Sequence, residues 1–125
     1  MLDKAYKKSY IGRMAKPIVR TYSRYSLHAL SLLGGLLRAA RIEKKMGVQV
    51  LAERAGISRD MLRRIEKGDP RCEIGVAFEL AAILGVPLFE PDLGALHKRN
   101  REIEDRLALL PKAVHAPRGE VKDDF

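Results

Sequence analysis

The sequence predicts an all-α protein: a compact five-helix bundle with a basic N-terminal arm and a C-terminal helix plus tail. Three observations predict it. Apolar residues recur every three or four positions over most of the chain, and no window alternates strongly enough to argue for a sheet. Glycine and proline punctuate those stretches at Gly47, Gly56, Gly68, Gly85 and Pro111. The 125 residues are 46% apolar with no Trp, enough for one core built mainly of Leu, Ile, Val and Ala.

The elements follow in order. Residues 1–25 lack helical periodicity and contain Gly12 and Pro17, so they read as a basic flexible arm, with Met14 as a second candidate start. Ser26 is the expected N-cap of a first helix, Leu27 to Lys45, with Leu30, Leu33, Leu37 and Ala40 on one face. Gly34 and Gly35 each weaken that helix by about 1 kcal/mol and predict a break or kink; Gly47 is expected to end it. A short second helix spans Val48 to Ala55, closed by a left-handed Gly56. Ser58 caps a third, Arg59 to Lys67, which Gly68 and Pro70 stop. A fourth, Glu73 to Leu84, is expected to bury Ile74, Ala77, Phe78, Ala81 and Leu84. The last runs from Leu93 to Leu110 between Asp92 as N-cap and Pro111 as terminator. The expected division is therefore an arm (1–25), a helical domain (26–90), an amphipathic helix (91–111) and a polar tail (112–125).

Composition excludes several function classes. No apolar run approaches the ~18–20 residues that span a bilayer. The segment to Tyr25 also lacks the apolar region of a signal peptide, so a cytoplasmic location is expected. Cys72 is alone, and His28, His97 and His115 lie far apart, so neither a disulfide nor a metal site is expected, and no cofactor. No Ser/His/Asp or Cys/His constellation, paired carboxylates or phosphate-cradling glycine loop is apparent, so no enzyme is expected. Cys72 precedes the fourth helix, where a lowered thiol pKa is conceivable. The net charge of +8 is unevenly placed: residues 1–47 carry 11 Lys/Arg against 2 acids, residues 48–90 carry 6 against 7, and residues 91–125 carry 7 against 7. A clustered basic excess points to a polyanion, most often nucleic acid.

The third helix carries the sharpest signal. On a helical wheel Arg59, Asp60, Arg63, Arg64 and Lys67 share about 140° of arc. Met61, Leu62 and Ile65 lie opposite, with Glu66 oddly among them. Such a helix rests on a core and presents guanidinium groups, which pair with phosphates and guanine edges. Two short helices joined at a glycine are the helix-turn-helix plan. Leu51 and Ala52 anchor the crossing, Ala55 keeps it close, Gly56 permits the turn and Ile57 plugs the corner.

Residues 36–86 resemble a helix-turn-helix domain of the Xre/Cro-like family through Leu51, Ala52, Ala55, Gly56, Ile57, Ser58, Leu62, Ile65, Glu66 and Gly68. The resemblance implies a five-helix bundle that binds DNA, usually as a homodimer on a palindromic operator, with the third helix in the major groove. By their place on that helix Arg59, Asp60, Arg63 and Arg64 are the expected base readers. Gln49, Ser58, Lys67 and Arg71 are the expected phosphate contacts, with Lys44 or Lys45. The family's usual Gln near the start of helix two falls on Val48 here, with Gln49 one residue later. The resemblance also supports a structural ion pair between Glu66 and Arg41, near the inner edge of helix one. The basic arm is read either as a tracker of the DNA backbone or minor groove, or as a solubility tail.

In the last helix Leu93, Leu96, Asn100, Ile103, Leu107 and Leu110 make a narrow a/d seam with Asn100 at an a position. The seam is either the edge of the domain's own core or a dimer or partner interface. More narrowly, the segments KPIVRTYSRYS, LLRAAR, IEKGDP, AAILGVPLF, LALLPK and VKDDF resemble HipB-like antitoxins encoded beside HipA-like kinase toxins. That resemblance implies an autorepressor that also binds and neutralises a Ser/Thr kinase, with the terminal Phe125 as a further partner contact.

Overall fold

The computed structural model describes residues 20–114, and among them there are five helices and no strand. They are α1 (Arg24–Glu43), α2 (Val48–Ala55), α3 (Arg59–Glu66), α4 (Ile74–Leu84) and α5 (Leu93–Leu109). Helices α3 and α4 each pack on both α1 and α2, and α5 makes no comparable contact. Four leucines, Leu37, Leu51, Leu62 and Leu80, are fully buried, one from each of the first four helices. Burying a Leu side chain contributes roughly 1.5–3 kcal/mol, so this centre ties the four helices together. Ala52, Ile65, Ala81 and Leu84 complete it.

Helix α1 departs from expectation at both ends. Its N-cap is Ser23, whose Oγ accepts the N–H of Ser26, so the helix begins three residues before Leu27. A serine one turn earlier satisfies the same free donors, and Ser26 becomes part of the first turn. The helix ends at Glu43 rather than Lys45, and Lys45 takes a left-handed φ of 54°. Gly47 is the N-cap of α2 rather than the end of α1.

The expected break at Gly34–Gly35 is absent, and α1 runs through both. The reason is tertiary. A Cβ on Gly34 would lie 2.5 Å from the carbonyl oxygens of Ile65 and Glu66. The glycine lets α1 and the end of α3 meet backbone to backbone. Gly68 does the same from the other side: its φ is +81°, and a Cβ there would lie 2.8 Å from the Ser31 nitrogen.

Helix α4 is rotated from the expected face. Ala77, Leu80, Ala81 and Leu84 point inward, while Ile74 is 76% exposed and Phe78 39% exposed. Phe78 instead stacks on Phe89, with ring centroids 5.8 Å apart. Glu73 is the N-cap rather than a helical residue. The helix is apolar nearly all round, so periodicity alone could not choose its inner face.

Helix α5 is capped as expected, Asp92 Oδ1 accepting the N–H of Ala95 at 2.8 Å, and none of its residues is buried. Ala95 and Leu96 in its first turn are half-buried near α4, and the seam beyond them, Asn100, Ile103 and Leu107, is exposed. No helix among the described residues is long and apolar enough to cross a membrane.

Candidate nucleic-acid interface

Helices α2 and α3 meet at Gly56, whose φ of 69° turns the chain, and the Ile57 N–H returns to the Ala52 carbonyl at 2.9 Å. Ser58 then caps α3 by accepting the N–H of Met61 at 3.0 Å. Leu62 and Ile65 enter the core from α3, and Arg59, Asp60, Arg63 and Lys67 remain exposed. The cationic side of the helix thus faces solvent because its apolar side is committed.

The end of α3 is held by a buried ion pair. Arg41 Nε donates to Glu66 Oε2 at 2.8 Å and its Nη2 to Glu66 Oε1 at 3.2 Å, the bidentate geometry that strengthens such pairs. Arg41 Nη1 donates to the Met46 carbonyl at 3.0 Å, which links the pair to the α1–α2 turn. The two side chains are 10% and 5% exposed. The hydrogen bonds that Arg41 donates to Glu66 raise the Arg41 pKa above its ordinary value, against the opposing effect of burial. Glu66 sits among apolar residues because Arg41 reaches it there.

The proposed base readers are not equivalent. Arg59 and Arg63 are exposed. Arg64 is only partly so: its Nε lies 3.3 Å from Asp60 Oδ2 without making a hydrogen bond, and its Nη2 donates to Met61 Sδ. Asp60 and Arg64 therefore form a loose i,i+4 pair along the helix, with the Asp60 side chain 82% exposed.

The phosphate candidates also differ. Lys67 is exposed at the C-cap of α3, and Lys44 and Lys45 are exposed beyond α1. Gln49 lies at the start of α2, where its Nε2 donates to Glu53 Oε1 at 2.7 Å. Val48, at the position where the family usually carries Gln, packs against the core. Arg71 is held by Asp69, which accepts from its Nε and Nη2 at 3.2 Å and from its backbone N–H at 2.9 Å. Those bonds hold the Asp69 carboxyl below its ordinary pKa and raise that of Arg71. Sequence reasoning missed Asp69, Gly34 and the Met46 carbonyl; the Asp-x-Arg spacing was the one local signal available for the first.

Cys72 has the opposite of the conceivable lowered pKa. Burial pushes its thiol up, with Asp69 adding to the shift, so it stays protonated. Phe125 and the arm to residue 19 lie outside the described residues.

Residues 32–93 match the family model of a helix-turn-helix domain. This stretch is similar to a helix-turn-helix domain. The match takes in most of α1 and all of α2, α3 and α4, and it supports the Xre-like resemblance. No curated protein and no solved structure significantly matches the chain.

Proposed function

We propose that the protein is a sequence-specific transcriptional repressor with no enzymatic activity, acting as a homodimer on a palindromic operator. One observation carries this reading: an exposed face of Arg59, Asp60, Arg63 and Lys67 on a helix held at one angle by the buried Arg41–Glu66 pair. A fixed helix with free guanidinium groups suits a major groove, where Arg spans guanine O6 and N7. Arg59 and Arg63 are its first base readers, with Asp60 and Arg64 joining them. Ser58, Lys67, Gln49 and Arg71 supply phosphate contacts, and the N-terminal arm adds nonspecific affinity.

The test is selection of an operator from random duplexes, followed by titration in increasing salt. Affinity is expected to fall by about 0.9 log units per log unit of salt for each phosphate neutralised. Arg63→Ala is expected to weaken operator binding by roughly 1–3 kcal/mol and to relax one base preference. A flat salt response, or binding indifferent to Arg63→Ala, rejects the assignment.

Within this reading we assign the protein as the antitoxin of a type II toxin–antitoxin pair that neutralises a HipA-like Ser/Thr kinase. The support is the resemblance in LLRAAR, IEKGDP, AAILGVPLF and the tail VKDDF. Co-purification with a kinase encoded in the adjacent reading frame tests it. Failure to bind that kinase leaves a stand-alone Xre-family regulator.

A further inference from the structure

Helix α5 is the unexplained part of the molecule. Its seam positions recur at spacings of 3, 4, 3 and 4 from Leu93 through Asn100 to Leu107; the helix ends at Leu109, so Leu110, expected in the seam, is its extended C-cap. Leu93 is nevertheless 82% and Leu107 61% exposed. Leu96 is half-covered by the domain, and among the described residues nothing covers the seam from Asn100 onward. With Leu93, Asn100 and Leu107 at a positions, the flanking g positions are Asp92, Arg99 and Arg106, and the e positions include His97 and Glu104.

Those flanks distinguish the two ways in which a second copy can lie along the seam. In a parallel pair each g residue faces the e residue five positions on in the other copy. Arg99 then faces Glu104, and Asp92 faces His97, twice each by symmetry. Asn100 faces its own counterpart, so its amide finds a matching donor and acceptor. In an antiparallel pair with the same seam, g faces g, so Arg99 opposes Arg106, and Asn100 lies against Ile103. That arrangement sets like charges together along the g flank, though it brings His97 to Glu104 along the e flank, and it leaves a polar amide facing an apolar side chain. Arg99 already donates through Nη1 to Glu90 at 3.2 Å, but a guanidinium has five N–H donors and can serve a second carboxylate.

We propose that α5 pairs with α5 of a second copy as a short parallel coiled coil, selected by Arg99–Glu104 and by Asn100 against itself. This rests on the reading of the protein as a dimeric DNA-binding regulator and specifies how the dimer is built. The five seam positions on α5 bury on the order of 450 Å² per copy, taking about 60–120 Å² for each side chain. That is below the ~800 Å² per partner of a stable interface, so the dimer dissociates on dilution. A parallel coil emerging after Asp92 places both helix-turn-helix domains at its N-terminal end, related by a twofold axis. Twofold symmetry in the protein is what a palindromic operator mirrors.

The experiment measures self-association of the full chain by sedimentation, without DNA. Arg99→Glu is expected to weaken the dimer by roughly fivefold or more, and the double variant Arg99→Glu/Glu104→Arg to restore it. Glu90→Gln controls for the contact within the chain and is expected to leave the dimer intact. In a Cys72→Ser background, Leu107→Cys is expected to form disulfide-linked dimers under mild oxidation. In an antiparallel pair those two residues are about 16 Å apart along the axis, beyond disulfide reach. Tighter association of Arg99→Glu, or cross-linking only between Leu96→Cys and Leu107→Cys, shows the antiparallel pair and overturns the proposal. A chain that stays monomeric overturns it. A dimer that gives neither cross-link also does so, and points to the exposed row Tyr25, Leu32 and Leu36 on α1 as the cover for α5. A chain that dimerises as expected but binds no duplex refutes the regulator reading alone.

Discussion

Helices α3 and α5 are both amphipathic and both capped by a side chain, Ser58 in one and Asp92 in the other. The eight-residue α3 buries Leu62 and Ile65, meets α1 through Gly34 and Gly68, and is held at its end by Arg41. The seventeen-residue α5 has no fully buried residue, and only Ala95 and Leu96 are half-covered. Length and an apolar seam therefore do not decide which helix is anchored. Backbone approach and a paired buried charge do. The helix held at a fixed angle carries the cationic face, and the free one keeps an apolar seam for another surface.

The largest expected effect breaks this contrast at α3. Arg41→Ala leaves Glu66 buried without a counter-charge and is expected to cost about 3–5 kcal/mol, measured by urea denaturation. A variant that melts like the parent removes the ion pair from the account of α3. Gly34→Ala is expected to destabilise by roughly 1–3 kcal/mol despite alanine's better helix propensity, because the methyl group meets two backbone carbonyls that cannot rotate away. Stabilisation by Gly34→Ala would show that α1 and α3 are not in backbone contact.

The smaller effects sharpen the contrast from the other side. Leu107→Ala in α5 is expected to shift the stability of the dilute monomer by no more than about 0.5 kcal/mol, as for an exposed position. A larger loss would mean that α5 belongs to the core. The smallest effect is electrostatic and belongs to the loop after α3. The Asp69 pKa is depressed in the folded protein, so its contribution is present above its unfolded pKa of about 3.9 and is lost as pH falls through the lower folded value. A slight fall in Tm below about pH 4 is expected, and Asp69→Asn is expected to remove that share of it.

Much of this organisation was legible in the residues. Ser58, Gly56 and Asp92 act as the local rules of capping and turning require, and those rules need no knowledge of distant contacts. Glu66 was legible as a partner in search of a charge because it broke the pattern of its own helix. Gly34 was not legible, since its value lies in the carbonyls of residues more than thirty positions away. Ile74 and Phe78 misled because a helix apolar on every side has no preferred face until its neighbours choose one. Arg64 and Arg71 looked free because a one-dimensional pattern counts charges and does not pair them.

The sequence by itself determined five helices, the Gly56 turn, the Ser58 and Asp92 caps, the Arg-rich face of α3 and the seam of α5, all of which depend on residues within a turn or two of each other. Only the tertiary structure decided that α1 runs unbroken through two glycines, which face of α4 turns inward, which arginines of the cationic face lie beside a carboxylate, and that most of the α5 seam stays exposed. Those outcomes depend on which surfaces meet, and close packing between distant segments is not encoded in any local window of residues.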